Sequence, residues 1–102
     1  MADMTPLGQL IEDVRQAFTD RHGVTLSYDA IAKRGGGVIG GTRVHQLATE
    51  PSLPTLPPSR TLEALARGLE VPYRIVLEKA LLSAGYSLPT GDTDVTKDRK
   101  IG

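Results

Sequence analysis

Five of the seven residues from 35 to 41 are glycine, and the run Thr42-Arg43-Val44-His45-Gln46-Leu47 follows at once. Two chemistries use such a pattern. Glycine-rich backbone can cradle a phosphate, or a turn can deliver a face of hydrogen-bonding side chains to a nucleic acid. Gly35, Gly37 and Gly40 match the dinucleotide pattern G-x-G-x-x-G, but that pattern works only after a buried strand in an alternating strand–helix chain. Here the preceding "YDAIAKR" has a helical rhythm, and no parallel sheet is available. Gly36 and Gly41-Thr42 imitate the phosphate loop G-x-x-x-x-G-K-[ST], yet Thr42 stands where its lysine belongs. The bland alternative is a flexible surface loop, since each glycine inside a helix costs about 1 kcal/mol. It leaves unexplained why no acidic residue lies between Asp29 and Glu50, while Lys33, Arg34, Arg43 and His45 all do.

Other chemistries find little support. There are no cysteines, which removes disulfides, thiolate nucleophiles and Cys-ligated zinc, and suits a reducing cytoplasm. His22 and His45 lie far apart and make a poor metal set, so neither a metal nor a cofactor is expected. Glu12 and Asp13 are adjacent on what reads as a solvated helix face, and helical neighbours diverge, so they do not share a proton. No enzymatic activity is expected.

The chain has 102 residues, enough for one small domain with one core. With no Trp and one Phe, that core must be built from Leu, Ile, Val and Ala, which favours helices packed on helices. The formal net charge is zero, so any basic surface must be local. No basic region followed by a long apolar run opens the chain. No stretch approaches the ~20 apolar residues of a membrane span, so a cytoplasmic protein without membrane partners is expected.

Thr5-Pro6 reads as a helix start, with Leu7, Leu10, Ile11, Val14 and Phe18 on one face and Gly23 as the stop. Ser27 caps a short helix through about Arg34, with Ile31 and Ala32 inward. After the glycines, Thr42–Thr49 forms another short helix. Val44, Leu47 and Ala48 take one side of it; Thr42, Arg43, His45, Gln46 and Thr49 take the other. Residues 50–59 hold four prolines and are not helical; Leu53 and Leu56 pin them to the core. Ser59 caps a helix carrying Leu62, Leu65, Ala66 and Leu69. Val71-Pro72 breaks it and starts a last helix carrying Ile75, Val76, Ala80 and Leu81, ended by Gly85. The polar "PTGDTDVTKDRKIG" from Pro89 reads as a flexible tail, leaving residues 1–88 as the domain.

In this order the parts resemble the Cro/C1-type helix-turn-helix of the lambda-repressor-like (XRE) family, over residues 5–88. "LSYDAIAKRGG" is similar to the second helix of that family and "TRVHQLATEP" to its third, recognition helix. "LPPSRTLEALARGLEVP" carries the most specific likeness: a Pro-bearing loop, a Thr-Leu-x-x-Leu-Ala helix and a Leu-x-Val-Pro break. One departure is plain. The stretch from Ala32 to Val44 runs roughly two residues longer than the short turn of the motif. Gly40 and Gly41 therefore stand where the family often places base-reading side chains.

The resemblance implies an all-α, compact five-helix DNA-binding domain acting as a transcriptional regulator, expected to be a repressor. Base reading in the major groove would fall to Thr42, Arg43, His45, Gln46 and Thr49: Arg can bond guanine twice, and Gln can do the same for adenine. Ser27, Tyr28, Lys33, Arg34 and Gly41 would meet the phosphates, through helix N-terminal amides, hydroxyls and charge. The expected partner is double-stranded DNA, bound as a homodimer through a last-helix surface that includes Ile75, Leu82 and Tyr86. Two alternatives stay open. One is a protein-interaction module that keeps the helical fold; the other is an antitoxin that also engages a small protein, through the tail after Pro89.

Overall fold

The computed structural model describes residues 4–86. Among these the chain forms five α-helices and no strand. Helix α1 spans Pro6–His22, α2 Tyr28–Arg34, α3 Gly41–Thr49, α4 Ser59–Leu69 and α5 Tyr73–Ser83. The tail from Pro89 onward lies outside the described residues. No helix among the described residues is long and apolar enough to cross a membrane.

Local chemistry explains where the first helices begin and end. The Gly8 amide donates to Thr5 Oγ1 at 2.9 Å, which satisfies one of the free donors at the start of α1. Gly23 closes that helix in the left-handed region, φ 75°, with its amide bonded to the Thr19 carbonyl. Ser27 Oγ accepts from the Ala30 amide at 3.0 Å and so starts α2. Helix α3 starts at Gly41, one residue ahead of the expected Thr42.

The start of α4 departs from the sequence reading. Ser59 is its first helical residue rather than its cap. Pro58 holds the capping position, and its carbonyl accepts from the amides of Thr61 and Leu62. A proline ring fixes φ near the value found there, −57°, so the carbonyl is aimed into the helix without help from a side chain. Pro72 starts α5 in the same way, bonded to the amides of Ile75 and Val76.

Helix α1 packs on α3 and α5, α2 on α3 and α4, and α4 on α5. Leu7, Ile11, Ile31, Val44, Leu47, Leu62, Leu65 and Val76 fill the centre and are fully buried. Leu53 is buried and Leu56 half-buried, as expected for the proline segment, and Pro57 is buried beside them.

Of the apolar residues along α5, only part of the set turns inward. Val76, Ala80 and Ser83 are buried, whereas Ile75 and Leu81 are half-buried and stand outside the core cluster. The buried set follows the four-then-three spacing of one helix face. Its third member is polar. Ser83 fits because its hydroxyl accepts from the Leu7 amide at 2.9 Å and donates to the Lys79 carbonyl at 2.6 Å. Its own carbonyl accepts from Leu53 N, so one serine joins α1, α5 and the proline segment.

Helices α2 and α4 approach so closely that one position admits no side chain. A Cβ on Gly68 would lie 2.2 Å from the Ile31 carbonyl oxygen and 2.9 Å from Ile31 Cγ2. Two turns of backbone would have to separate to make room. Gly68→Ala is therefore expected to lower stability by about 1–3 kcal/mol, an overpacking penalty read from the urea midpoint. An unchanged midpoint would mean that α2 and α4 are not packed this closely.

Candidate nucleic-acid interface

Helix α3 is split lengthwise by its surroundings. Val44, Leu47 and Ala48 are 0% exposed. Thr42, Arg43, His45, Gln46 and Thr49 are all exposed, so the five polar side chains expected to share a face do share one. Arg43 Nη1 and Gln46 Oε1 lie 3.4 Å apart, a long contact that leaves both groups free for stronger partners. Thr49 donates to the His45 carbonyl at 2.8 Å, so its hydroxyl offers an outside partner only acceptor capacity.

The first turns of α2 and α3 meet at a shallow recess of about 390 Å³. Ser27, Tyr28, Asp29, Gly41, Thr42 and His45 line it. Gly41 makes the meeting possible, because a Cβ there would fall 1.8 Å from Asp29 Oδ1 and 3.0 Å from Asp29 Cα. Gly40 caps α3 without any side-chain acceptor and its carbonyl takes the amides of Arg43 and Val44, so those of Gly41 and Thr42 keep their donors for an outside oxygen. Against this, Asp29 places a carboxylate beside the same turn. An anion entering the recess meets two helix starts and one negative charge.

The connection from α2 to α3 is built by glycines with separate tasks. Gly35 is buried and ends α2, with its amide bonded to the Ile31 carbonyl at 3.0 Å. Gly36 and Gly37 follow with φ of 94° and 74°, in the left-handed region, and their amides return to Lys33 and Ala32. The longer turn thus closes back on α2 before the chain extends through Val38 and Ile39 to α3.

The residues expected at phosphates differ in how they are engaged. Lys33 is exposed and makes no ion pair among the described residues. Arg34 turns the other way, pairs with Glu70 Oε2 and lies over the Phe18 ring at 5.7 Å. Tyr28 is tied to α1: its hydroxyl donates to Glu12 Oε2 at 2.7 Å and accepts from Arg15 Nη1 at 3.1 Å. Arg15 also bonds Glu12 Oε1 at 2.6 Å and the Leu26 carbonyl at 2.8 Å, and its guanidinium stacks 4.2 Å above the Tyr28 ring. The far edge of that ring meets His45, with centroids 5.1 Å apart at 77°.

This brace was not legible from sequence. Glu12 is half-buried and paired, not solvated as expected, because α2 begins directly against its face of α1. Glu12 and Arg15 stand three residues apart, a spacing that signals a helical pair, but nothing local announces Tyr28 as the third member. Asp29 was missed for the same reason. No group of three or more His, Cys, Asp or Glu side chains is placed to hold a metal ion among the described residues.

Comparison with protein-family models, with curated proteins and with solved structures returns no significant match to this chain.

Burial raises the Tyr28 phenol above its ordinary value, and the hydrogen bond and charge of Glu12 add to the rise; Arg15 opposes it. A raised value means that the fold favours the protonated phenol. The stabilisation is complete below about pH 10, where the unfolded phenol titrates, and is lost as pH climbs through the folded value. Tyr28→Phe should therefore remove a component of the tyrosinate absorbance that rises above the ordinary phenol range near pH 10. Loss of an early component instead would break the assignment.

Proposed function

We propose that this chain is a sequence-specific DNA-binding transcriptional regulator of the lambda-repressor-like helix-turn-helix class, with α3 as its major-groove reader and repression as its expected mode. One observation supports this above the others. The inner side of α3 is wholly buried, while its five outward positions of hydrogen-bonding type are all exposed. A helix of this width fits the major groove, and Arg43 and Gln46 carry the two side chains best suited to purine edges.

Positioning contacts come from the same end of the molecule. Lys33 supplies free charge, and the amides at the start of α3, with Ser27 at the start of α2, offer donors to phosphate oxygens. With Tyr28 held by Glu12 and Arg34 by Glu70, their share in phosphate binding requires those pairs to open. One short helix reads few bases, so a homodimer on a two-fold site is part of the proposal. Leu82 and Tyr86 are 39% and 57% exposed on and just after α5, which leaves an apolar face there for a second copy.

The zero formal net charge favours a second reading, a helical module that binds a protein instead, as an antitoxin does. Salt separates the two, because contact with several phosphates makes affinity fall steeply as salt rises. Selection of bound sequences from a random DNA pool is the primary test, and a two-fold motif is the expected result. Arg43→Ala should then lose about 1–3 kcal/mol of discrimination at one base position, whereas Lys33→Ala should weaken all sequences alike and reduce the salt slope by about one. Equal loss on every sequence from Arg43→Ala would remove it from base reading. Absence of any enriched motif would sink the proposal.

A further inference from the structure

We infer that the recess between the C-terminal ends of α1, α2 and α4 is a binding site for a small amphipathic carboxylate, an organic acid with an apolar or aromatic body. The recess holds about 400 Å³, inside the roughly 300–1,000 Å³ range of small-molecule sites. Val14, Ala17, Phe18 and Leu69 form its apolar part, and Arg21 and Arg34 supply cations at its rim. An apolar floor with two guanidinium groups above it selects a ligand that is greasy at one end and anionic at the other.

A second, independent feature points to the anionic end. Arg34 already holds a carboxylate, that of Glu70. Glu70 lines the recess beside Arg34, and with its side chain 71% exposed it is weakly held there. Glu70 thus occupies the place a ligand carboxylate would take. The Arg34 guanidinium is aimed for that purpose by the Phe18 ring, 5.7 Å away, and Phe18 is in turn fixed against His22, with ring centroids 4.3 Å apart. An incoming acid would lay its body on Phe18 and Leu69 and displace Glu70 from Arg34. No residue of the recess lies on α3, and only Arg34 is shared with the expected phosphate contacts, so the site stands whether or not the chain binds DNA.

The test uses the full chain with 4-phenylbutyrate, octanoate and the neutral 4-phenylbutyramide as probes, followed by amide chemical shifts. Saturable shifts confined to Ala17, Phe18, Arg21, Arg34 and Leu69 are expected with the acids, and binding of the amide should be about tenfold weaker. Arg34→Met should weaken the acids by a similar factor and leave the amide unchanged. Glu70→Gln, an exposed substitution that does not threaten folding, should tighten the acids by about two- to fivefold because the internal competitor is gone. Lack of saturable shifts with both acids up to their solubility overturns the inference. Equal binding of acid and amide, or no gain from Glu70→Gln, does so too.

Discussion

The seating of α3 governs the molecule. Its nine residues are too few to hold a helix by themselves in water. What keeps them helical is the burial of Val44, Leu47 and Ala48 against α1 and α2, and large apolar side chains contribute about 1.5–3 kcal/mol each when fully buried. Backbone proximity sharpens the fit. A Cβ on Gly8 of α1 would lie 2.5 Å from the Ala48 carbonyl oxygen, and Gly41 meets Asp29 of α2 as closely. Helix α3 can be seated in one rotation only, and that rotation decides which side chains face out.

Polar contacts then fix what apolar packing leaves loose. Hydrophobic burial is not directional, so it does not by itself set the start of α2 relative to α1. The Arg15–Glu12–Tyr28 brace does, with three hydrogen bonds among the side chains and a fourth to the Leu26 carbonyl. Because the Tyr28 ring also touches His45, the position of α1 is transmitted to the outer face of α3. Ser83 plays a comparable part at the opposite end, where it gathers α1, α5 and the proline segment through one side chain and one carbonyl.

Charge is arranged by the same packing. Two acids of the formally neutral chain are drawn into ion pairs: Glu12 with Arg15, and Glu70 with Arg34. Lys33 and Arg43 remain without acidic partners among the described residues, and both lie in or beside the α2–α3 unit. The charge left on α2 and α3 depends on which of their own cations are paired, as Arg34 is, and composition carries no trace of that. Asp29 works in the other direction, since it puts a carboxylate at the start of α3.

Sequence alone determined most of what depends on neighbours within one or two helical turns; the cap of α4, which falls to Pro58 and not Ser59, is the exception. The caps at Thr5 and Ser27, the stop at Gly23, the helical stretches and the division of α3 into Val44-Leu47-Ala48 and the polar remainder all follow from spacing and local hydrogen bonding. Tertiary structure decided what depends on chain far away. The inward turn of α5 onto Val76, Ala80 and Ser83 needed the Leu7 amide; the pairing of Tyr28 with Glu12, and of Arg34 with Glu70, needed helices 16 and 36 residues distant. The two faces of α3 can be read from its own period. The partner that claims a given polar group cannot, because hydrogen bonds and ion pairs reach only a few ångströms and the fold alone brings distant residues that near.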